Sequence, residues 1–503
     1  MASPVNGNRP VLLFTSLPFT GHITPTLRIA STLHARGWPV FYLGPTAHKT
    51  SITGAGVSFL SLLDDADFND VQFFANQSDD TPEETPLPSP PASEPSESTK
   101  ELVPSAPEPT WRDRIFFVAR ETILRPIPSH HRSIVAALVH IHSTVPNARV
   151  IVMAESVTFS LLPLFHSAPL PESIPRPIGF LALNVMIPTL RSVNLPPLMG
   201  TEPVPFDTTI AHKEQIAEMW KEWAIATKPM KDFLVQRVEK AGGKDFEEAM
   251  DARERAKGRE EGWLWLSGEH FVGYDHVFQV GVESWFYKTE EGWPANWQFV
   301  GTVPKLVPAL DEASQSLVDE VKLAKDNGKK VIVVTQGTVE INPRQLIIPT
   351  IQALGGRENT LVVAILGHRG RKLPKSVVVP ENVKVTDYLP YDSILPYADV
   401  FVNNAGYGAV MHGIGHGLPM VVAGEEQDKR ENSLRVEWVG HGIKIYRPWS
   451  DGEEYVDELR GAVEKVLDEE KGREVRERAR ELMREADAID PVATIEDRLL
   501  SYL

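Results

Sequence analysis

Short, continuously apolar runs alternate with stretches of helical spacing in both halves of this chain. Val11–Thr15 (VLLFT) is a short apolar run, Ile23–Ala35 repeats apolar positions every three or four residues with Pro25 near its start, and Val40–Leu43 is apolar again. Strands without polar alternation are buried on both faces, so this order predicts the βαβ unit of a parallel sheet. A further strand is expected at Val150–Met153. The rhythm returns at Val331–Thr335, Thr360–Leu366, Val400–Asn403 and Met420–Ala423, which predicts a second parallel sheet. Between the two, residues 201–261 are charged with helical periodicity, and Trp263 and Trp265 alternate on a strand-like segment whose expected role is core packing. Trp297–Thr302 reads as the last strand before a boundary near Pro304. Residues 451–503 pair opposite charges at helical spacing, as a solvated helical face does.

Two doubly wound sheets place ligands outside the carboxyl ends of their strands, so the loops after strands are where chemistry is expected. The length of 503 residues fits two such domains. Composition removes several other classes. There is no cysteine, hence no disulfide or thiolate site, and the opening residues lack the apolar core of a signal peptide. No run is apolar enough to span a membrane, and a cytoplasmic location is expected. The formal charge of -17 argues against a nucleic-acid partner. Residues 76–109 hold nine of the 41 prolines, eight acids and one lysine, and are expected to form a mobile loop inserted in the first domain.

Two loops stand out. Ser16–His22 (SLPFTGH) follows the first strand and puts His22 at the mouth of a helix, positioned to take a proton from a ligand. Glu155, just after the strand at Val150–Met153, is a carboxylate that can orient that histidine. The second loop, Asn404–Gly408, lies between a strand and a helix starting near Ala409. Gly406 and Gly408 allow close backbone approach there, and the helix start offers unpaired N–H groups to a phosphate. A dinucleotide fingerprint is the competing reading, but Met411 stands where a third small residue is wanted. His412 and His416 lie at i, i+4 without the glutamate of a zinc protease. His130, His131, His140 and His142 show no third ligand at a recognisable spacing, so no metal is expected.

Val400–Lys429, preceded by DYLPYDSILPYAD at Asp387–Asp399, resembles the donor signature of the UDP-glycosyltransferase superfamily. SLPFTGHITP resembles its loop with the catalytic histidine, and VIVVTQGT its strand and loop against the diphosphate. The resemblance implies an α/β GT-B fold, two Rossmann-like domains facing a cleft, and inverting sugar transfer. It implies an acceptor-binding domain over residues 1–304, a nucleotide-sugar domain over 305–484 and a helical tail over 485–503 that returns to the first domain.

By the same resemblance, His22 is the base and Glu155 its acidic partner. Gly337 and Thr338 supply amides to the diphosphate, Tyr388 takes the place of the aromatic ring stacked on uracil, and the backbone of Leu389 meets the base edge. Tyr391 stands where glutamine is usual, and Asn404 replaces a phosphate-binding histidine. Gly406, Tyr407, Gly408 and Ala409 match the phosphate turn, and His412 replaces a glutamate that accepts from the ribose hydroxyls. Asp428 matches the acid that binds sugar hydroxyls. Lys429 replaces glutamine, and is expected either to pair with Asp428 or to face a carboxylate on the sugar. These substitutions resemble a microbial, fungal branch. The expected donor is UDP-glucose, used as a co-substrate without further cofactor, and the expected acceptor is a small lipophilic hydroxyl compound. A lipid or cell-wall precursor transferase, or a non-catalytic activator of a partner enzyme, is the alternative.

Overall fold

The computed structural model describes residues 9–70, 110–198, 204–337, 342–424 and 426–503. The acidic, proline-rich segment at 76–109 and Thr338 lie outside the described residues.

Thirteen strands among the described residues form two wholly parallel sheets. The first contains β1 (Val11–Thr15), β2 (Val40–Gly44), β3 (Ser58–Ser61), β4 (Val150–Glu155), β5 (Gly179–Asn184), β6 (His276–Gln279) and β7 (Trp297–Phe299). Its order is β3-β2-β1-β4-β5-β6-β7. The second contains β8 (Lys330–Thr335), β9 (Thr360–Ile365), β10 (Val383–Thr386), β11 (Val400–Asn403), β12 (Met420–Val422) and β13 (Gly442–Lys444), in the order β10-β9-β8-β11-β12-β13. Every residue of β1, β4 and β5 is buried, as a sheet covered on both faces requires.

Each sheet reverses its winding once, between β1 and β4 in the first and between β8 and β11 in the second. Such a switch point leaves a crevice at the carboxyl ends of the two strands. Thr15 is paired with Ala154, which sets Glu155 beside the loop leading to His22. Asn403 is paired with Thr335, which sets the Asn404–Gly408 turn beside Gln336 and Gly337. The register thus assembles both candidate sites from residues far apart in sequence.

The expected charged helical region resolves into helices at Ile210–Lys240 and Phe246–Arg255. Trp263 and Trp265 follow them in a buried loop, not a strand. Trp265 stacks on Trp223 at 6.0 Å, and the Trp223 indole donates to the Trp265 carbonyl. Burial of large aromatic area, not strand pairing, accounts for that apolar alternation.

Position 485 falls inside the helix Arg473–Asp487, and the chain breaks before the next helix, Pro491–Leu500. That last helix returns to the first sheet's unit. Arg36 meets Asp490 at 3.0 Å, the Trp38 indole donates to Glu496 at 2.8 Å, and the Tyr502 ring occupies the space a Cβ at Gly179 would need. No helix among the described residues is long and apolar enough to cross a membrane.

Candidate active site

His22 sits in the first turn of the helix Thr20–Ala35, directly after β1. Its Nδ1 lies 3.3 Å from Oε2 of Glu155, the last residue of β4. The glutamate side chain has no exposure, whereas the histidine keeps 27%. Nδ1 is sealed, so the open part of the ring leaves Nε2 as the nitrogen for a ligand. Oε1 of Glu155 accepts from the Val157 amide at 3.2 Å. Burial alone pulls the pKa of His22 down. Glu155 outweighs it, aided by Asp428 and Asp70, and the imidazole ends above its ordinary value.

Asp70 closes the start of the same helix. Its Oδ2 accepts from the Thr20 amide at 2.6 Å and the Thr20 hydroxyl at 2.8 Å, while Oδ1 meets His48 at 3.1 Å. A carboxylate on those first-turn donors fixes the turn that carries His22. Phe19 lies against both His22 and Phe68, at ring distances of 6.0 and 5.7 Å, so one apolar ring flanks the histidine and a second packs on the first.

On the facing unit, the helix Tyr407–Gly415 begins without a side-chain cap, which leaves its first amides for a ligand. A Cβ at Gly408 would meet nothing within 4 Å, so the front of the turn is open. The back is closed. Ala405 is held at φ 57°, a left-handed conformation unusual for a residue with a Cβ; its amide donates to Asn403 Oδ1 and its carbonyl accepts from Asn432. Asn432 also donates to Asp428 Oδ2 at 3.0 Å, tying the turn to that acid. Gly337 has φ 73°, and a Cβ on Gly367 would lie 2.1 Å from its carbonyl oxygen, so the loop after β8 depends on glycine at both positions.

Residues 350–496 match the family described as erythromycin biosynthesis protein CIII-like, C-terminal domain. UDP-glucosyltransferase 1 of Beauveria bassiana (strain ARSEF 2860) is 28% identical over 486 residues, covering 96% of this chain and 94% of its own. UDP-glucosyltransferase A1 of Starmerella bombicola is 28% identical over 468 residues, covering 92% and 86%. Together these matches support the UDP-glycosyltransferase superfamily. The fold agrees: the crystallised glycotransferase of kitacinnamycin superposes with a TM-score of 0.59 at 17% identity, over 98% of this chain and 99% of that one. This is the GT-B architecture.

Within this glycosyltransferase several expected donor contacts are placed differently. Asn404 is buried and its amide donates to the Gln336 carbonyl at 2.6 Å, so it pins two loops together instead of standing open toward a phosphate. The Tyr391 hydroxyl meets Thr335 Oγ1 at 3.2 Å, and burial pushes its pKa up to about 12. Lys429 is buried with its ammonium 3.3 Å from Gln427 Oε1, and among the described residues no ion pair joins it to Asp428. The lysine leads its helix and lies against Gly424, which turns its side chain inward.

Other positions remain open. Tyr388 keeps 37% exposure, with the Arg369 guanidinium 4.9 Å from its ring centre. Leu389 buries its side chain, so only its backbone can meet a ligand. Ala409 is a buried residue of the turn's helix. His412 Nδ1 lies 3.1 Å from Asp392 Oδ1, which leaves Nε2 as the nitrogen for a ligand; burial lowers the pKa of His412 against the pull of Asp392.

Asp392 was not singled out in the sequence. Its Oδ1 takes both His412 and His416, at 3.1 and 3.0 Å, and the three ligand-type atoms lie within 4.8 Å of one another. The fold therefore supplies the third group that spacing did not show. Oδ2 accepts from Arg28 at 2.6 Å and from the Leu306 amide at 2.8 Å. Burial opposes this charge, but the two histidines and Arg28 hold the carboxyl well below the usual range. With both oxygens occupied and a guanidinium in contact, the cluster is a junction joining the helix Thr20–Ala35 to the second sheet's unit. Among the other histidines, His130 meets Thr15 Oγ1 and His131 meets the Ser160 carbonyl, separate partners in the first unit's core.

Proposed function

We propose that the protein transfers glucose from UDP-glucose to a hydroxyl of a small lipophilic acceptor, with inversion at the anomeric carbon. The acceptor oxygen attacks that carbon while its proton passes to His22 Nε2. The bond from the carbon to the diphosphate breaks, and UDP leaves with the electron pair. Glu155 holds the Nδ1 side and stabilises the imidazolium that forms. The amides of the turn at Gly406–Ala409, with Gly337, receive the charge that develops on the diphosphate. Tyr388 offers a ring to uracil, the Leu389 backbone its base edge, His412 Nε2 an acceptor to ribose, and Asp428 a carboxylate to the glucose hydroxyls. Phe19 and Phe68 favour an apolar acceptor beside the base.

One observation carries this reading. The His22 imidazole is held on its Nδ1 side by the buried Glu155 while part of its ring stays open, and Asp428 of the facing unit adds to the rise of its pKa, which supports a proton acceptor and a sugar-binding acid sharing one cleft. The names of the full-length relatives support UDP-glucose as donor. The test is mass spectrometry of the purified protein with UDP-glucose and a panel of lipophilic alcohols and phenols. A hexosylated product with matching UDP release is expected; UDP-glucose left intact with every acceptor would refute the reading.

A further inference from the structure

Three neighbouring strands of the first sheet end in a polar residue whose side chain is fully buried: Glu155 on β4, Asn184 on β5 and Gln279 on β6. A run of hydrogen bonds through the last two starts at Ser156, the residue after Glu155. Ser156 Oγ lies 3.3 Å from Glu155 Oε1 and donates to Asn184 Oδ1 at 2.6 Å. Asn184 Nδ2 donates to Gln279 Oε1 at 2.6 Å, and Gln279 Nε2 donates to the Tyr407 hydroxyl at 2.8 Å. That hydroxyl in turn donates to the Val280 carbonyl. Tyr407 is the first residue of the helix whose amino end forms the candidate diphosphate turn. The chain therefore begins at Ser156, next to the partner of His22, and ends on the facing unit.

We propose that Asn184 and Gln279 are positioning residues for sugar transfer, which fix the donor-binding turn at a set distance and angle from the His22–Glu155 pair. Packing alone does not require them. Apolar residues of similar volume would fill the same space without desolvating two amides, and Tyr407 already packs edge-on against Trp285 at 5.8 Å. What the amides add is direction. Gln279 accepts from Asn184 through Oε1, and its Nε2 lies within reach of the Tyr407 hydroxyl and of the Val280 and Met186 carbonyls, at 2.8, 2.9 and 3.1 Å, so the amide that orients the phenol is itself fixed from three sides. Tyr407 shares its backbone with the diphosphate turn, and the orientation of its ring sets where that turn stands relative to β6. Transfer needs the attacking oxygen and the anomeric carbon within about 3–3.5 Å, and a misplacement of about 1 Å lowers the rate by on the order of 100-fold. Binding of the nucleotide alone has no such requirement, since it is made within the second unit. The chain should therefore govern turnover and leave nucleotide affinity nearly unchanged.

This inference rests on the transferase reading above, and the experiment separates the two. Turnover at saturating donor and acceptor, and UDP affinity by calorimetry, are measured for the unmodified protein, Gln279→Met, Tyr407→Phe and the double variant. Gln279→Met keeps side-chain length without polar atoms; Tyr407→Phe removes one oxygen, and serves by itself if the first variant does not fold. The expected result is a 10- to 100-fold lower kcat in each single variant, UDP affinity within about three-fold, and little further loss in the double variant. Variants that turn over within two-fold of the unmodified protein, that lose UDP affinity with kcat intact, or whose losses multiply would overturn the positioning role and leave the transferase reading standing. Absence of transfer by the unmodified protein would overturn both.

Discussion

Nδ1 of His22 and Oε2 of Glu155 stand 3.3 Å apart, one on the first turn after β1 and the other at the end of β4. Because the two strands are neighbours across the switch point of the sheet, register brings Glu155 beside the loop after β1, and Asp70 fixes the turn that carries His22. Burial lowers the pKa of His22 and Glu155 raises it, with the second effect prevailing. A base must be neutral to accept a proton, so kcat/KM is expected to rise with pH through the elevated pKa of His22. Glu155→Gln removes the raising charge and should move that acid limb to lower pH, with a smaller loss of turnover than removal of the histidine. A limb that stays in place would show that Glu155 does not act on the base.

Arg28 and Asp392 predict a stability effect. Their side chains are 12% and 1% exposed, and the carboxylate also holds His412, His416 and the Leu306 amide. Removing one member of a buried, hydrogen-bonded pair leaves the other charge without its partner, which costs about 3–5 kcal/mol. Asp392→Ala should lower the unfolding free energy by that amount in denaturant titration. A change below about 1 kcal/mol would mean that solvent reaches the junction.

Lys429 bears on donor choice. Its ammonium is turned toward Gln427 inside the protein and is not paired with Asp428. Lys429→Gln should therefore keep glucose as the preferred sugar, at a reduced rate, when UDP-glucose and UDP-glucuronic acid compete at equal concentration. A switch of preference in the variant, or preferential transfer of glucuronic acid by the unmodified protein, would place the lysine at the sugar.

The two-sheet plan was legible because buried parallel strands have no polar alternation: VLLFT, VIVMAE and KVIVVT announce themselves. The strands missed in sequence include SFLS, VKVT and GIK, the outer members β3, β10 and β13, too short and too polar to stand out. His22, Glu155 and the glycine turn were legible by their positions after strands. Asn184 and Gln279 carried the same signal, a polar residue ending an apolar run, as in GFLALN and HVFQ. Asn404, Tyr391 and Lys429 were read outward because residue type shows hydrogen-bonding capacity and not its direction. Asp392 was invisible because its partners come from Arg28 and from a helix twenty residues on, a convergence only the fold produces.

The most direct measurement is the rate of glucose transfer by His22→Ala beside its affinity for UDP. General-base removal should lower turnover by about 100- to 10,000-fold, while UDP affinity stays near that of the unmodified protein because the histidine lies on the first sheet's unit and the phosphate turn on the second. Transfer at a near-normal rate by the variant would contradict the account, whatever the nucleotide affinity.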